Sequence, residues 1–146
     1  RIRLIIAGKP FSEEYKHKLE SMCAQNKNIQ FYPGWIQDED FQIYFNAADL
    51  VVLPYSEILN SGMAFLAVSF GCPVLLPEIP TMKEYQSIIS EELIKIYPGD
   101  LTQEKLISYL EEVSNQDPEQ VRLNLEQISW SKIASKTKEA YSSLLS

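Results

Sequence analysis

Short apolar runs alternate with amphipathic segments along the whole chain, and no other feature restricts its fold as much. Ile2 to Ala7 is an apolar run closed by Gly8, which predicts a buried strand. Ser12 then offers a helix N-cap, with Glu13 and Glu14 in the first turn and Tyr15, Leu19, Met22 and Cys23 at helical spacing. Ile29 to Tyr32 is a second strand, closed by Pro33 and Gly34. Asp38 is read as the cap of a helix that places Phe41, Tyr44, Phe45 and Ala48 on one face. Asp49 to Pro54 is a third strand, too apolar to face water on either side, as suits the middle of a parallel sheet. Gly62 to Phe70 is a helix with almost no polar face, so it is expected to be buried all round. Strands at Pro73 to Pro77 and Leu93 to Tyr97 follow, separated by a short helix from Met82 to Ile89. Thr102 caps a helix carrying Leu106, Leu110 and Val113. Asp117 and Pro118 open another, and a last helix starts near Ser129 with Trp130, Ile133, Ala134, Tyr141 and Leu144.

Repeated β-then-α implies a Rossmann-like three-layer α/β/α domain, with a parallel sheet of about five to six strands and right-handed crossovers. No linker, repeat or low-complexity segment interrupts residues 1–146, which read as one domain. Ligands of such folds bind at the carboxyl ends of the strands.

Composition narrows the partners. The chain has 146 residues, 45% of them hydrophobic, enough for a core. Its net charge of -7 argues against nucleic acid, which needs a basic stripe. No apolar run approaches the ~20 residues of a membrane span. Cys23 and Cys72 form no metal-ligand spacing, and His17 is the sole histidine, on a charged helix face, so no metal site is expected. Both cysteines read as small core residues, which fits a reducing cytosol. The chain opens on Arg1 inside a strand-like run, which reads as a piece of a longer protein.

One stretch carries most of the chemistry. A buried strand ends at Pro54, a polar loop follows, and a helix begins at Ser61 or Gly62. Free amides and the helix dipole there make an anion site, and the small residues Asn60, Ser61 and Gly62 let a phosphate approach the backbone. The plainer alternative is that Asn60 or Ser61 only caps the helix. Lys9 follows the first strand at the same edge, either facing a phosphate or solvated in its turn. Tyr55 ends the third strand, placed to stack on or hydrogen-bond to a ligand. Glu57 is a loop carboxylate for a sugar hydroxyl, or simply solvated.

The stretch from Ala47 to Val74 resembles the nucleotide-sugar-binding core of retaining GT-B glycosyltransferases, of the group that includes sucrose synthases and many polysaccharide mannosyl- and glucosyltransferases. That family writes an alanine-aspartate strand ending in proline, a glycine-containing loop, and a helix leading to G-x-P-V. Here Ala48, Asp49, Pro54, Gly71, Pro73 and Val74 match. Leu4 to Pro10, including Gly8 and Lys9, is similar to the family's strand with G-x-G-P. Ile29 to Ile36 is similar to its V-x-F-x-G-x-V, which lays Trp35 and Ile36 where the base rests. Ile96 to Asp100 resembles V-x-P-G-D, Ser129 to Ala134 resembles S-W-x-x-I-A, and Glu84 falls near the glutamate after the fourth strand. Trp130 is expected to pack against a partner domain or the core.

The resemblance implies the donor-binding half of a glycosyltransferase moving a sugar from a UDP- or GDP-linked donor to a glycan or lipid-linked acceptor, with no cofactor. An N-terminal domain of the same full-length chain would supply the acceptor and any base, in the cytoplasm, with the inner-membrane surface as the alternative location of the full-length protein. The piece alone is then expected to bind donor weakly and turn nothing over, and its catalytic residues are unassigned, Glu57 being the one candidate. The family's two glutamates eight apart are missing: Ile58 stands at the first position and Leu66 at the second, which binds the donor ribose. Ile58 to Gly62 instead resembles a bacterial polysaccharide subgroup with an I-L-x-S-G loop, whose serine-glycine backbone serves the diphosphate. Two alternatives share the architecture: half of a sugar-nucleotide epimerase, and a non-catalytic nucleotide-binding or scaffold domain.

Overall fold

Strands and helices form where the apolar spacing calls for them. The computed structural model describes residues 2–57, 61–116, 126 and 129–144. They fall into two compact units, residues 1–44 and 45–146.

In the first unit, β1 (Leu4–Gly8) and β2 (Ile29–Pro33) pair in parallel, Leu4 opposite Ile29 and Gly8 opposite Pro33. A parallel pair needs a crossover, which α1 (Glu13–Ala24) supplies. Ser12 caps α1 as its position predicts, its hydroxyl accepting the Tyr15 amide at 3.1 Å. Glu13 and Glu14 stand at the positive end of the helix dipole. The chain leaves the sheet through Gly8 (φ +143°) and Gly34 (φ +150°), conformations that side chains rarely adopt. The expected Asp38 cap is not made. Gln37 is the extended residue, so Asp38 already lies inside a 3-10 turn, Asp38–Asp40, and α2 (Phe41–Ala47) begins after it.

In the second unit, β3 (Val51–Val52), β4 (Val74–Pro77) and β5 (Ile94–Tyr97) form a parallel sheet in that order. The central strand is the core: Val74, Leu75 and Leu76 are wholly buried. β3 is shorter than the run from Asp49 to Pro54 suggested, and its valines are only half-buried. Leu53 still donates to the Leu75 carbonyl, but Pro54 has no N–H and the Tyr55 amide turns back to the Leu53 carbonyl at 2.9 Å, so the ladder stops there.

The helices α3 (Gly62–Ser69) and α4 (Pro80–Ile88) are the crossovers between these strands. α3 buries one face, through Ala64, Ala67 and Val68. The expectation of burial all round fails, because the sheet covers one side only: Phe65 is 44% exposed and Phe70 40%. Each phenylalanine instead rests on one neighbouring ring, Phe65 on Tyr85 at 4.7 Å and Phe70 on Phe45 at 5.6 Å between centroids.

Next comes α5 (Gln103–Ser114), capped by Thr102, whose hydroxyl accepts the Lys105 amide. Its Glu112 pairs with Lys95, a nearly buried lysine of β5 that needs a counter-charge there, and its Tyr109 hydroxyl donates to the Ile96 carbonyl. The helix expected from Asp117 lies outside the described residues. The last helix, α6 (Trp130–Leu144), buries none of its residues. Trp130 is 86% exposed, so the packing expected of it is not made among the described residues. The fold is thus α/β with parallel sheets of two and three strands and helical crossovers, a Rossmann-like arrangement.

Candidate functional site

Polar groups collect just past the carboxyl ends of the strands in each unit. In the first, Lys9 and Pro10 follow β1, and Pro33, Gly34 and Trp35 follow β2. The Gly34 amide donates to the Gly8 carbonyl at 3.1 Å, tying the two strand ends together. They and the first turn of α1 enclose an open depression of about 490 Å3, lined by Lys9, Pro10, Glu13, Lys16, Gly34 and Trp35 among others. Lys16 reaches Glu13 at 3.3 Å. Two lysines against one glutamate give this depression a positive balance in an acidic chain. Trp35, 74% exposed, presents an indole at its edge. A cationic floor with an aromatic wall suits an anion that carries a flat ring.

The structure brings Lys9 and Trp35 together there. Gly8 sits behind them at the strand end, and a side chain at Gly8 would meet nothing within 4 Å. Ile36 is half-buried and does not line the depression. Lys16 went unnoticed in the sequence. Its signal was its place one turn after the Ser12 cap, which turns it back toward the strand ends.

In the second unit the loop after β3 leads into α3. Ser61 is the N-cap: its Oγ accepts the Ala64 amide at 3.0 Å. The same Oγ bonds Tyr55 Oη at 2.8 Å, and the Ser61 amide donates to Tyr85 Oη at 3.1 Å. Ser61 is only 2% exposed. The capping role and the bonds to both tyrosines therefore fall on this one serine. Its amide is engaged by Tyr85, so the next amide, that of Gly62, opens the helix toward solvent. Gly62 is exposed, and an added Cβ would meet nothing within 4 Å. Glu57 is exposed on the loop, while Ile58 and Asn60 lie outside the described residues. Leu66, where the resembled family has its ribose glutamate, is a half-buried residue of α3. Glu84 is an exposed residue of α4; its neighbour Tyr85 is the one that reaches Ser61.

Cys72 has no part in such chemistry. Its thiol is buried beside the Ala48 carbonyl at 3.4 Å, and burial pushes its pKa from 9.0 up to about 11. A protonated buried thiol is a poor nucleophile. Among the described residues no three His, Cys, Asp or Glu side chains gather as metal ligands, and no helix is long and apolar enough to cross a membrane.

Fold and strand-end clusters together define a Rossmann-like α/β protein with anion-compatible loops. No family model matches the chain. Two curated proteins from Xanthomonas campestris pv. campestris are similar to it, each named as a GDP-mannose:glycolipid 4-beta-D-mannosyltransferase. One is 31% identical over 117 residues and the other 30% over 117, in each case 77% of this chain and 32% of the relative. The chain spans about a third of the length of these relatives.

Proposed function

We propose that this chain is the donor-binding half of a GT-B glycosyltransferase, and that its donor is a GDP-linked sugar of the mannose type. The observation that carries the reading is the similarity to GDP-mannose-dependent glycosyltransferases over 77% of the chain. The parallel strands then belong to one doubly wound sheet of about five to six strands. Asn60 and Gly62 meet the diphosphate, with the buried Ser61 capping α3 between them rather than touching the ligand; Tyr55 and Glu57 lie toward the sugar; Gly8, Lys9, Trp35 and Ile36 serve the nucleotide end. Amides at the start of α3 stabilise the charge that develops on the departing diphosphate. The acceptor is a glycan or a lipid-linked sugar, the relatives' name giving a glycolipid, and is held by a separate domain of the full-length protein.

A specific observation favours inversion over the retention implied by the family resemblance. The relatives' name specifies a β-linkage, and transfer from an α-linked nucleotide sugar to a β-linked product inverts the anomeric carbon. The anomeric C–H coupling of the product made by the full-length enzyme decides between them.

The donor-site reading is tested by titrating the protein with GDP and UDP while following amide chemical shifts. Saturable shifts at Ser61, Gly62, Lys9 and Trp35, larger for GDP, are expected. If neither nucleotide moves these amides, the chain is a scaffold rather than a donor domain. Assaying the full-length protein for sugar transfer against sugar-nucleotide isomerisation separates it from an epimerase.

A further inference from the structure

The depression at the ends of β1 and β2 carries a pattern of donors and acceptors as well as a net charge. Lys16 Nζ donates to Glu13 Oε2 at 3.3 Å. The ammonium keeps further protons to give, and Glu13 Oε1 bonds nothing among the described residues. The pair therefore presents one donor beside two acceptors. Lys16 is half-buried and Glu13 exposed, so the carboxylate is open to a ligand. A phosphate placed against Lys16 would be repelled by that carboxylate, so the pair is not a plain phosphate site. Trp35 lines the same depression with its indole exposed. A base stacked on an indole turns its Watson–Crick edge to the groups beside it. Guanine offers one acceptor on that edge, O6, and then two donors, N1–H and N2–H. This is the complement of one donor beside two acceptors. Uracil offers acceptor, donor, acceptor, and its second carbonyl oxygen would face a carboxylate oxygen.

We propose that Glu13 accepts the N1–H and N2–H of a guanine stacked on Trp35, with Lys16 donating to O6, and that Glu13 thereby sets the choice of base. The proposal rests on the donor-site reading above and adds to it two residues of α1 that recognise the base rather than the phosphates.

The test is calorimetric titration of the wild type, Glu13→Ala, Glu14→Ala and Lys16→Met with GDP, with inosine diphosphate, which lacks only the N2 amino group, and with UDP. The wild type should bind GDP about tenfold more tightly than inosine diphosphate, the scale of one hydrogen bond to a charged group. Glu13→Ala should abolish that difference and most of the preference over UDP. Glu14 stands in the same first turn but does not line the depression, so Glu14→Ala removes the same charge from the helix end and should keep the difference. Lys16→Met loses the contact to O6, which GDP and inosine diphosphate share, so it should weaken both alike. Equal affinity of the wild type for GDP and inosine diphosphate, a difference that survives Glu13→Ala, or one that disappears equally in Glu14→Ala would each overturn the role of Glu13. Unchanged affinities in Lys16→Met would overturn the role of Lys16. A wild type that binds none of the three nucleotides would sink the donor-site reading itself, and this proposal with it.

Discussion

At Gly62 the chain has no side chain, ordinary backbone geometry and open space where a Cβ would stand. Nothing among the described residues requires glycine there, and the proposed donor site gives it a use, the close approach of a phosphate. Gly62→Ala should leave stability unchanged or raise it by up to ~1 kcal/mol, since alanine is the better helix residue. Donor affinity should fall in the same variant, measured by GDP titration alongside a urea melt. Cys72 makes the opposite case, a residue explained wholly by packing. Its folded pKa is raised, so the unfolded chain loses the thiol proton first. Its contribution is complete below pH 9 and is lost as pH rises toward about 11. Tyr97 and Tyr109 add to the same decline: burial raises both, with further help from Asp100 for Tyr97 and from Glu112, then Glu78, for Tyr109. Thermal midpoints of Cys72→Ala should therefore fall less steeply over this range than those of the wild type. Residues of this kind were legible in the sequence where their role is local. Ser12 and Thr102 each accept the amide three residues ahead of them, Tyr15 and Lys105, and spacing alone shows it. Tyr85 was not legible, because its partner Ser61 lies 24 residues away.

Among the elements, α3 bears most on function, and its N-terminus is built by one buried serine. Ser61→Ala removes the acceptor for the Ala64 amide and the partner of Tyr55 together. A lost N-cap costs about 1–2 kcal/mol, and a drop of that size in urea unfolding is expected, with donor binding weakened as well. A drop of less than ~0.5 kcal/mol would mean that Tyr85 and the Ser61 carbonyl hold the turn without the hydroxyl. Periodicity located α3 correctly but misjudged its surroundings. An all-apolar helix signals burial, yet hydrophobicity cannot say how many sides are covered, and Phe65 and Phe70 lie on an uncovered one. The third strand is shorter than its apolar run for a different reason: the run continues to Leu53, but the ladder is ended by hydrogen-bond geometry at Pro54 and Tyr55.

At the scale of the whole molecule, the proposed function expects a single parallel sheet. Leu4 donates to the Asn28 carbonyl and Gly8 accepts from Gly34, so alternate residues of β1 face β2. Backbone bonding alternates sides along a strand, which turns Ile5 and Ala7 to its other edge. If β1 lies inside one sheet, the Ile5 and Ala7 amides should resist hydrogen exchange as strongly as that of Leu4. Fast exchange at those two would leave β1 an edge strand and the five-stranded reading wrong. The alternation of strand and helix, the parallel class and the two strand-end loops all follow from the sequence, because apolar period, caps and turn residues are properties of neighbours along the chain. The resemblance that pointed to a nucleotide sugar is likewise carried by consecutive residues around Pro54 to Val74. Which groups complete those loops was decided only in three dimensions. Lys16 joins Lys9 and Trp35 by folding back from α1. Tyr85 reaches the start of α3 from α4, and it takes the very amide that the loop motif had offered to the phosphate. Hydrogen-bond partners distant in sequence are chosen by how elements pack, and packing leaves no periodic trace in the residues themselves.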